Sequence, residues 1–373
     1  MPVLKSIKIS GFRSIKEMSL ELRPLNILIG ANGAGKSNLI AFFKFVNELM
    51  GGRLQQHIGA TGRATGNLHF GPNITPQLEA KMVFEVENGT DTYYMRLFHA
   101  AGDSLIFAEE TLAYHQKGYP RPRAVSLGAG HRETRIGDAA EEGEPAAKIL
   151  RHLLLNHCRV YHFHDTSPTS RVRQYCYISD NRWLMPDAAN LAAVLYALKS
   201  HKEKVYRRIV ATIRQVAPFF EDFDLEPTDS RDIILNWRHR KSDLIFGPHQ
   251  LSDGTLRAIC LIALLLQPKE NLPYLIVVDE PELGLHPYAL DVIASLFQAA
   301  SGQTQVLVST QSSAFLNAFE PEDIVVVERN DEATEFIRPD AEKLDAWLED
   351  YSLGEIWEKN VIGGGLPIQM SPL

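Results

Sequence analysis

The sequence has few cysteines and no long apolar runs. Its three cysteines, Cys158, Cys176 and Cys260, are unevenly spaced and form no C-x-x-C pair. This spacing argues against a disulfide framework and a zinc knuckle, and we expect reduced, mostly buried thiols. No apolar run reaches the roughly 18 residues that a membrane-spanning helix needs. The start of the chain also lacks the apolar segment of a signal peptide, so we expect a cytoplasmic protein that has no membrane partner.

The sequence also has no excess of positive charge, since its formal net charge is −8 at pH 7. This charge argues against a protein that coats nucleic acid through overall basicity, although a local basic stripe could still bind it. The candidate cations for such a stripe are Lys199, Lys202, Lys204, Arg207, Arg208, Arg214, Arg238, Arg240 and Lys241. The alternative for these residues is an ordinary solvated helix face.

What the chain does have is an ordinary globular composition and enough length to bury a large core. Its 373 residues are 45% hydrophobic and 23% charged. This size suits one head domain that carries one inserted lobe.

A glycine-rich string, Gly30-Ala-Asn-Gly-Ala-Gly-Lys36-Ser37, follows the apolar run 25–29 and precedes an amphipathic stretch at helical spacing. It matches G-x-x-x-x-G-K-[ST], in which a strand turns into a helix whose first backbone N–H groups bind phosphate. We expect Lys36 to reach the β- and γ-phosphates of ATP, and the Ser37 hydroxyl to coordinate the bridging Mg²⁺. The predicted nucleotide-binding residues of this P-loop are Asn32, Gly33, Ala34, Gly35, Lys36, Ser37 and Asn38.

A second apolar run, residues 274–278, ends in two carboxylates, Asp279 and Glu280. The run is typical of a parallel strand buried on both faces, and open α/β sheets carry their chemistry at the carboxyl ends of such strands. We predict that Asp279 holds Mg²⁺, directly or through water, and that Glu280 is the general base for the attacking water. The alternative for Glu280 is a helix-capping acid before Pro281.

Residues 251–257, Leu-Ser-Asp-Gly-Thr-Leu-Arg, precede an apolar, helix-like stretch. Ser252 is a good N-cap residue, and the flexible Gly254 leaves the start of the helix exposed, which favours a second anion site. This string resembles the signature motif of ABC-type ATPases. The resemblance implies that Ser252 and Gly254 contact the γ-phosphate held by the P-loop of a second subunit. Asp253 stands where transporters and SMC proteins usually carry glycine.

Two further strings resemble parts of the same superfamily. Residues 281–287, which include His286, look like the D-loop that crosses the dimer interface. The strand-like residues 306–310 are followed by Gln311, at the position where ABC-type ATPases keep a switch histidine. An amide can bind a γ-phosphate or orient water but cannot take up a proton. We therefore expect a sensor role for Gln311, with catalysis depending on Glu280.

The opening of the chain, residues 4–16, resembles the first strands of RecF, SMC and OLD-type ATPases, in which an arginine after the first strand approaches the nucleotide. We assign that role to Arg13, and the alternative is a solvated surface arginine. Together with the strings above, the likeness covers about residues 1–50 and 245–330. It is closest to stand-alone, RecF/OLD-like AAA ATPases with an ABC-type head.

The resemblance implies an α/β fold, a P-loop NTPase with an ABC-type ATPase head. The head has a mixed sheet with an antiparallel N-terminal portion, and it carries an inserted α/β lobe. No heptad repeat is sustained between the P-loop and the signature, so we expect no SMC-style coiled-coil arm. The predicted domains are residues 1–50 and 246–340 for the two parts of the head, 51–245 for the inserted strands and helical lobe, and 341–373 for a C-terminal helix and flexible tail.

Residue patterns also predict individual elements within these domains. We expect a hairpin at Asn88-Gly89 with a further strand over 105–115, helices over 145–156 and 188–217, strands over 222–246, 324–328 and 335–338, a helix over 344–357, loops over 51–76 and 120–144, and a flexible stretch over 363–367. His162 and His164 share one face of a strand-like segment. Because no third ligand is evident, we expect them to line the nucleotide pocket or the lobe interface rather than bind a metal.

These features predict an enzyme that binds and hydrolyses ATP with Mg²⁺ and forms a homodimer around the nucleotide. By the resemblance, it acts on DNA or RNA, in repair or in defence against mobile elements, with any nuclease supplied by a separate effector protein. Related OLD proteins append a Toprim nuclease, for which we expect no room after Gln311. The alternative is an ATP-gated protein-interaction scaffold with slow hydrolysis and a partner on the aromatic C-terminal segment. Asp253, Gln311 and the opening of the chain disfavour a transporter subunit.

Overall fold

The computed structural model describes residues 2–330 and 333–365. Its strands are β1 (Val3–Phe12), β2 (Ile15–Glu21), β3 (Leu25–Ile29), β4 (Gln77–Val86), β5 (Gly89–Ala100), β6 (Ser104–Gln116), β7 (Arg123–Gly128), β8 (Cys158–Tyr161), β9 (Cys176–Tyr177), β10 (Phe220–Asp224), β11 (Asp232–Ile233), β12 (Asn236–His239), β13 (Ile245–Phe246), β14 (Leu275–Asp279), β15 (Gln305–Thr310), β16 (Ile324–Asn330) and β17 (Ala333–Ile337). Its α-helices are α1 (Lys36–Met50), α2 (Leu54–Ala60), α3 (Arg63–Asn67), α4 (Ile136–Glu141), α5 (Pro145–His152), α6 (Leu191–His201), α7 (Glu203–Val216), α8 (Asp253–Leu265), α9 (Pro287–Ser301), α10 (Ser313–Leu316), α11 (Ala341–Leu348) and α12 (Leu353–Glu358).

The first large sheet is antiparallel and has the strand order β2-β1-β4-β5-β6-β7. Its β4–β5 hairpin turns at Asn88-Gly89, where Val86 pairs with Gly89, which confirms the predicted hairpin. Alternate side chains of β4 and β5, such as Met82 and Tyr93, are fully buried. This period of two is what an antiparallel sheet with one covered face requires.

The second large sheet has the order β17-β16-β3-β15-β14-β8, and all of its neighbouring strands are parallel except β16 and β17. Alternate residues of its central strands enter two different cores. Val277 and Leu307 pack on the side of α1 and the antiparallel sheet, whereas Val278 and Val308 pack on the side of α8 and α9. Burial on both faces explains the near-continuous apolar runs of these strands and confirms the prediction made for β14.

The range 51–245, predicted as an inserted lobe, contributes strands to both large sheets. Strands β4 to β7 extend the sheet that β1 and β2 begin, and β8 pairs with β14 at the edge of the parallel sheet. The rest of this range forms helices and two small sheets with the orders β10-β12-β13 and β11-β9. The domain boundaries stay a prediction.

Two segments predicted as loops contain regular structure. The stretch 51–76 forms α2 and α3, and the stretch 120–144 forms β7 and α4. The carboxylate of Glu133 accepts hydrogen bonds from Leu54 N and Gln55 N, at 2.7 and 2.9 Å, and so caps the start of α2. A cap supplied by a residue about 80 positions away is invisible to a local sequence pattern, which is why α2 was not predicted.

The C-terminal segment also differs from the prediction. Instead of one helix over 344–357, it forms α11 and α12, and Ser352 caps α12 in a capping box with Glu355. Of the stretch expected to be flexible, residues 363–365 are described, and Gly364 is buried with its carbonyl accepting a 2.9 Å hydrogen bond from Ala31 N. Residues 366 and 367 lie outside the described residues. No helix in the described part of the chain combines the length and apolarity needed to cross a bilayer.

Candidate functional site

The predicted P-loop connects β3 to α1, which begins at Lys36 as expected. Gly35 has a φ of 114°, in the left-handed region, and a Cβ there would overlap with the Thr334 side chain. A Cβ on Gly30 would likewise overlap with the carbonyl of Val327. Both positions therefore require glycine, so that the loop can turn sharply into the helix while packed on neighbouring strands.

Lys36 is 5% exposed, and its ammonium donates hydrogen bonds to the carbonyls of Gly30 and Ala31, at 2.6 and 3.1 Å. Burial lowers the pKa of Lys36, while the carboxylates of Glu280, Asp279 and Glu282 counteract that shift. One buried cation therefore lies in the field of three carboxylates at the carboxyl edge of the parallel sheet.

Asp279 is the last residue of β14, where the sequence predicted a metal-binding acid. The hydroxyl of Ser309, on the adjacent strand β15, donates to the Asp279 carboxylate. His164 Nε2 lies 2.8 Å from the Asp279 carbonyl oxygen, a contact in which the imidazole donates. His164 thus lies beside this edge, but the described residues contain no cluster of three or more His, Cys, Asp or Glu that could hold a metal by themselves.

Glu280 has a φ of 42°, which is unusual for a non-glycine residue, and its backbone N–H donates to Ser309 O at 2.8 Å. The Gln311 side-chain amide donates a hydrogen bond to the Glu280 carboxylate. Left-handed backbone at a polar residue is strained, and such strain is concentrated at functional sites. The structure therefore brings together Glu280 and Gln311, the two residues that the sequence separated by 31 positions.

Glu282 is a site residue that the sequence reasoning missed. One of its carboxylate oxygens accepts hydrogen bonds from Thr310 Oγ1 and Gln311 N, at 2.6 and 2.9 Å, and burial raises its pKa. The other oxygen is buried and has no hydrogen-bond partner among the described residues. The residue lies in the predicted D-loop string, so the signal was a second acid two positions after Glu280.

The signature segment forms the N-terminus of α8, with Ser252 as the predicted N-cap. The Ser252 hydroxyl accepts from Thr255 N at 3.2 Å, and the Ser252 side chain is exposed. A Cβ on Gly254 would overlap with the carbonyl of Gly284, so the signature glycine packs directly on the D-loop. Because Arg257 Nη1 also donates to Leu283 O at 2.9 Å, the signature helix and the D-loop form one packed unit.

Arg173 anchors the loop before α8, and no sequence pattern indicated this role. Its guanidinium is buried and contacts the carbonyls of Thr166, Pro248 and Leu251. It also forms a 2.9 Å ion pair with Asp253, whose side chain is 65% exposed. The signature residue that departs from the usual glycine is therefore held by a buried arginine.

Arg13 lies in the β1–β2 turn with a φ of 51°, and its guanidinium donates to the Asn67 side chain at 3.2 and 3.4 Å. The next residue, Ser14, accepts from Asn38 Nδ2 at 2.6 Å, so this turn is tied to the first turn of the P-loop helix. His286 is the N-cap of α9, and its Nδ1 accepts weakly from Tyr288 N at 3.4 Å.

The predicted basic stripe is partly neutralised. Five of its nine cations form ion pairs, which are Lys202–Glu270, Arg207–Glu203, Arg214–Glu221, Arg238–Asp224 and Arg240–Glu221. Lys199 donates to a backbone carbonyl at 3.4 Å. Phosphate groups would have to displace these acids, so the stripe is a weaker candidate surface than the sequence suggested.

The residues present fit a magnesium ion. Asp279 and Ser37 offer carboxylate and hydroxyl oxygens, the ligand type that Mg²⁺ prefers. Three carboxylates act on Lys36 and one of them, Asp279, also acts on Lys44, so the acids outnumber the lysines in this region. One buried oxygen of Glu282 also has no partner among the described residues, and the local charge therefore favours an added cation. Ser37 is exposed at the N-terminus of α1, in a position that leaves its hydroxyl free to coordinate.

Comparisons with known proteins agree with this architecture. Residues 130–317 match the family described as "AAA domain, putative AbiEii toxin, Type IV TA system", and residues 3–93 match the family described as "AAA ATPase domain". Old nuclease of Escherichia phage P2 is 25% identical over 363 residues, covering 84% of this chain and 57% of Old nuclease. The chain thus spans little more than half the length of this relative.

Solved structures show the same fold. An SMC head bound to the C-winged helix domain of ScpA has a TM-score of 0.62 at 15% identity, covering 91% of this chain and 99% of that chain. The SMC head with an extended coiled coil from Pyrococcus furiosus has a TM-score of 0.58 at 15% identity, covering 94% and 99%. These structures confirm the predicted ABC-type ATPase head. Since the first family match covers half of the chain, the protein belongs to this AAA-domain family; it also matches an AAA ATPase domain, is similar to Old nuclease, and shares the fold of SMC heads.

Proposed function

We propose that two copies of the chain close around ATP and Mg²⁺, hydrolyse the ATP, and couple this cycle to action on nucleic acid. The observation that carries the proposal is the position of the signature. Ser252 is exposed at the start of α8, and no hydrogen bond among the described residues joins Ser252 or Gly254 to the P-loop of the same chain. The N-terminus of α8 can bind an anion, but it is not connected to the P-loop that would hold the phosphates. This arrangement fits a site that a second copy of the chain completes.

The P-loop half of the proposed site binds and orients the substrate. Lys36 would leave the carbonyls of Gly30 and Ala31 to bind phosphate oxygens, and the first N–H groups of α1 would face the same charge. Ser37 and Asp279 would hold Mg²⁺, which when bound neutralises phosphate charge. Ser309 keeps the Asp279 carboxylate oriented toward this edge.

Glu280 is the proposed general base, and it would accept a proton from the attacking water. Gln311 would hold the Glu280 carboxylate and orient that water, since its amide can donate but cannot take up the proton. Ser252 and Gly254 of the second copy would face the γ-phosphate. Loss of that phosphate after hydrolysis would remove the charge that both helix ends share, and the two copies would separate.

Action on nucleic acid is the proposed output, and the relation to Old nuclease supports it. A role in DNA repair or in defence against mobile elements, with a nuclease on a separate effector protein, stays a prediction. The alternative output is an ATP-gated scaffold for a protein partner. It is supported by the packing of α12 on α10, which follows Gln311: Gly354 N donates to Asn317 Oδ1 at 2.6 Å, and Trp347 is exposed nearby in sequence.

The test is the mass in solution of Glu280→Gln with and without ATP and Mg²⁺. We expect this variant to lose hydrolysis about 100-fold or more and to shift from one chain of 41.8 kDa to two when ATP and Mg²⁺ are added. The matched variant Ser252→Arg should still bind ATP but should neither pair nor hydrolyse. A Ser252→Arg variant that hydrolyses ATP at the wild-type rate would show that the composite site is wrong.

A further inference from the structure

Three large aromatic side chains are exposed within the nine residues 175–183. Tyr175 is 60% exposed, Tyr177 is 48% exposed and Trp183 is 41% exposed. Single exposed aromatic residues are common on protein surfaces, so the case for a ligand depends on the side chains that surround Trp183. The segment lies outside the ATP site, and the roles assigned above leave it unused.

Two arginines lie against the Trp183 ring. The guanidinium carbons of Arg159 and Arg182 are 4.7 and 5.4 Å from its centroid. Arg159 Nε donates to Asn156 O at 2.8 Å, and neither arginine forms an ion pair with another described residue. Stacking on an aromatic ring fixes the plane of a guanidinium and leaves its outer N–H groups free, which suits it to bind a phosphate.

These side chains line a surface pocket of about 470 Å³. His152 and His157 form another wall, with their Nε2 atoms 3.0 Å apart, and the His157 ring stacks on Tyr274 at 4.1 Å. Burial lowers the pKa of His157 to about 4, so this imidazole is neutral at pH 7. Glu270 also lines the pocket, but Lys202 pairs with its carboxylate. The two arginines therefore give the pocket a net positive charge.

We propose that this pocket and the aromatic segment 175–183 bind single-stranded nucleic acid. Bases would stack on the exposed aromatic rings, and Arg159 and Arg182 would contact the phosphodiester backbone. A duplex keeps its bases stacked on each other and gains only the phosphate contacts, so the exposed aromatic rings favour unpaired bases. The inference rests on the proposed action on nucleic acid and assigns it to this surface rather than to the partly paired basic stripe.

Strand β8 connects the pocket to the ATP site. Arg159 lies on β8 opposite Ile276 of β14, and His164, a few residues further along the chain, contacts the Asp279 carbonyl. A shift of β8 on binding would therefore reach the residue that is proposed to hold Mg²⁺. We accordingly expect single strands to change the hydrolysis rate as well as to bind.

The experiment measures fluorescence anisotropy of a labelled 15-nucleotide poly-dT strand against the full chain, at several salt concentrations. Trp183→Ala should weaken binding about 10-fold. Arg182→Gln should also weaken binding, and it should reduce the slope of log affinity against log salt concentration by about 1, as expected for the loss of one phosphate contact. The matched controls are Trp347→Ala, which removes another exposed tryptophan, and Arg208→Gln, which removes a stripe cation outside the ion pairs described above. Both controls should bind as the wild type does.

The outcomes distinguish the assignment of binding to this pocket from the proposed action on nucleic acid. If the wild-type chain binds the strand and only the Trp183 and Arg182 variants lose affinity, the assignment is supported. If those variants bind like wild type, or if Arg208→Gln loses as much affinity, the pocket assignment is wrong while action on nucleic acid survives. If neither single strands nor duplexes bind, both the assignment and the proposed output on nucleic acid fail. Circular dichroism and thermal unfolding establish that each variant is folded.

Discussion

The side-chain amide of Gln311 donates a hydrogen bond to the carboxylate of Glu280, across the gap between the ends of β15 and β14. The same residue donates its backbone N–H to Glu282 at 2.9 Å. Gln311 therefore contacts two of the three acids that face Lys36. A residue in this position can orient the general base without exchanging protons with it.

The first prediction concerns Gln311→Leu, which removes the amide but keeps a similar volume. We expect the hydrolysis rate to fall about 10- to 150-fold, since a hydrogen bond to a charged group contributes roughly 1.5–3 kcal/mol, whereas ATP affinity should change little. Steady-state hydrolysis and nucleotide binding measure the two effects separately.

Gln311→His is the companion variant. It should add an ionisation near pH 6.5 to the rate profile, and an unchanged profile would show that residue 311 does not touch the reacting groups.

The second prediction concerns Gly254, which packs on the D-loop. Gly254→Ala places a methyl group against the carbonyl of Gly284, and this contact must open. We expect a loss of about 1–3 kcal/mol in the free energy of unfolding, the usual cost of overpacking, and at least a 10-fold loss of hydrolysis. Gly247→Ala is the matched control, because a Cβ there meets nothing closer than 3.9 Å and the backbone φ is −84°. Equal effects of the two substitutions on urea unfolding and hydrolysis would contradict the proposed contact.

The third prediction separates the two partners of the Arg173–Asp253 ion pair. Arg173→Met leaves three backbone carbonyls without their charged donor in a buried setting, so we expect a loss of about 2–3 kcal/mol in stability. Asp253→Asn removes only an exposed carboxylate and should cost less than about 1 kcal/mol. Urea unfolding of both variants tests this order. A larger cost for the Asp253 variant would mean that the ion pair, rather than the carbonyl contacts, anchors the signature loop.

The ATP site was accessible to sequence reasoning because each of its parts is local. The P-loop needs glycine at fixed positions, strand β14 needs an apolar run ending in acids, and the helix start at Ser252 needs a capping residue. Each requirement appears within about ten consecutive residues. The structure adds which of these strings lie together, and the contact between Glu280 and Gln311 is the clearest case.

The missed features depend on residues that are distant in sequence. Glu133 caps α2 from about 80 positions away, and Arg173 reaches the signature loop at Pro248 and Leu251. The ion pairs within the basic stripe were not predicted for the same reason, since the acids that pair with Arg238 and Lys202 lie on other elements. Tertiary partners of this kind leave no periodic signal in a single sequence.

The fourth prediction is a pH dependence that arises from Asp91. This side chain is fully buried with both carboxylate oxygens unpartnered among the described residues, and burial raises its pKa from 3.8 to about 6. The unfolded chain therefore releases this proton at a lower pH than the folded chain does. Stability should fall as the pH rises from about 4 to about 6, by about 2–3 kcal/mol.

Urea unfolding at pH 4.5, 6 and 7.5 measures this dependence, and Asp91→Asn should flatten it because the amide does not titrate. The matched control is Asp229→Asn, an exposed acid whose replacement should leave the pH dependence unchanged. A dependence of the same size in Asp91→Asn would assign it to other groups.

The last prediction tests whether two chains share one site, by mixing inactive variants. Lys36→Ala lacks the P-loop lysine and Ser252→Arg lacks the signature, so each is expected to be inactive alone. A mixed dimer contains one intact pair, which is the P-loop of one chain and the signature of the other. Equal mixing should therefore restore up to about a quarter of wild-type hydrolysis.

Mixing Lys36→Ala with Glu280→Gln is the control. We propose that Lys36 and Glu280 act on the same nucleotide from the same chain, because the Glu280 carboxylate acts electrostatically on the pKa of Lys36 within one chain. This mixture should therefore stay inactive. Recovery in both mixtures, or in neither, would contradict the assignment of Ser252 to the opposite subunit.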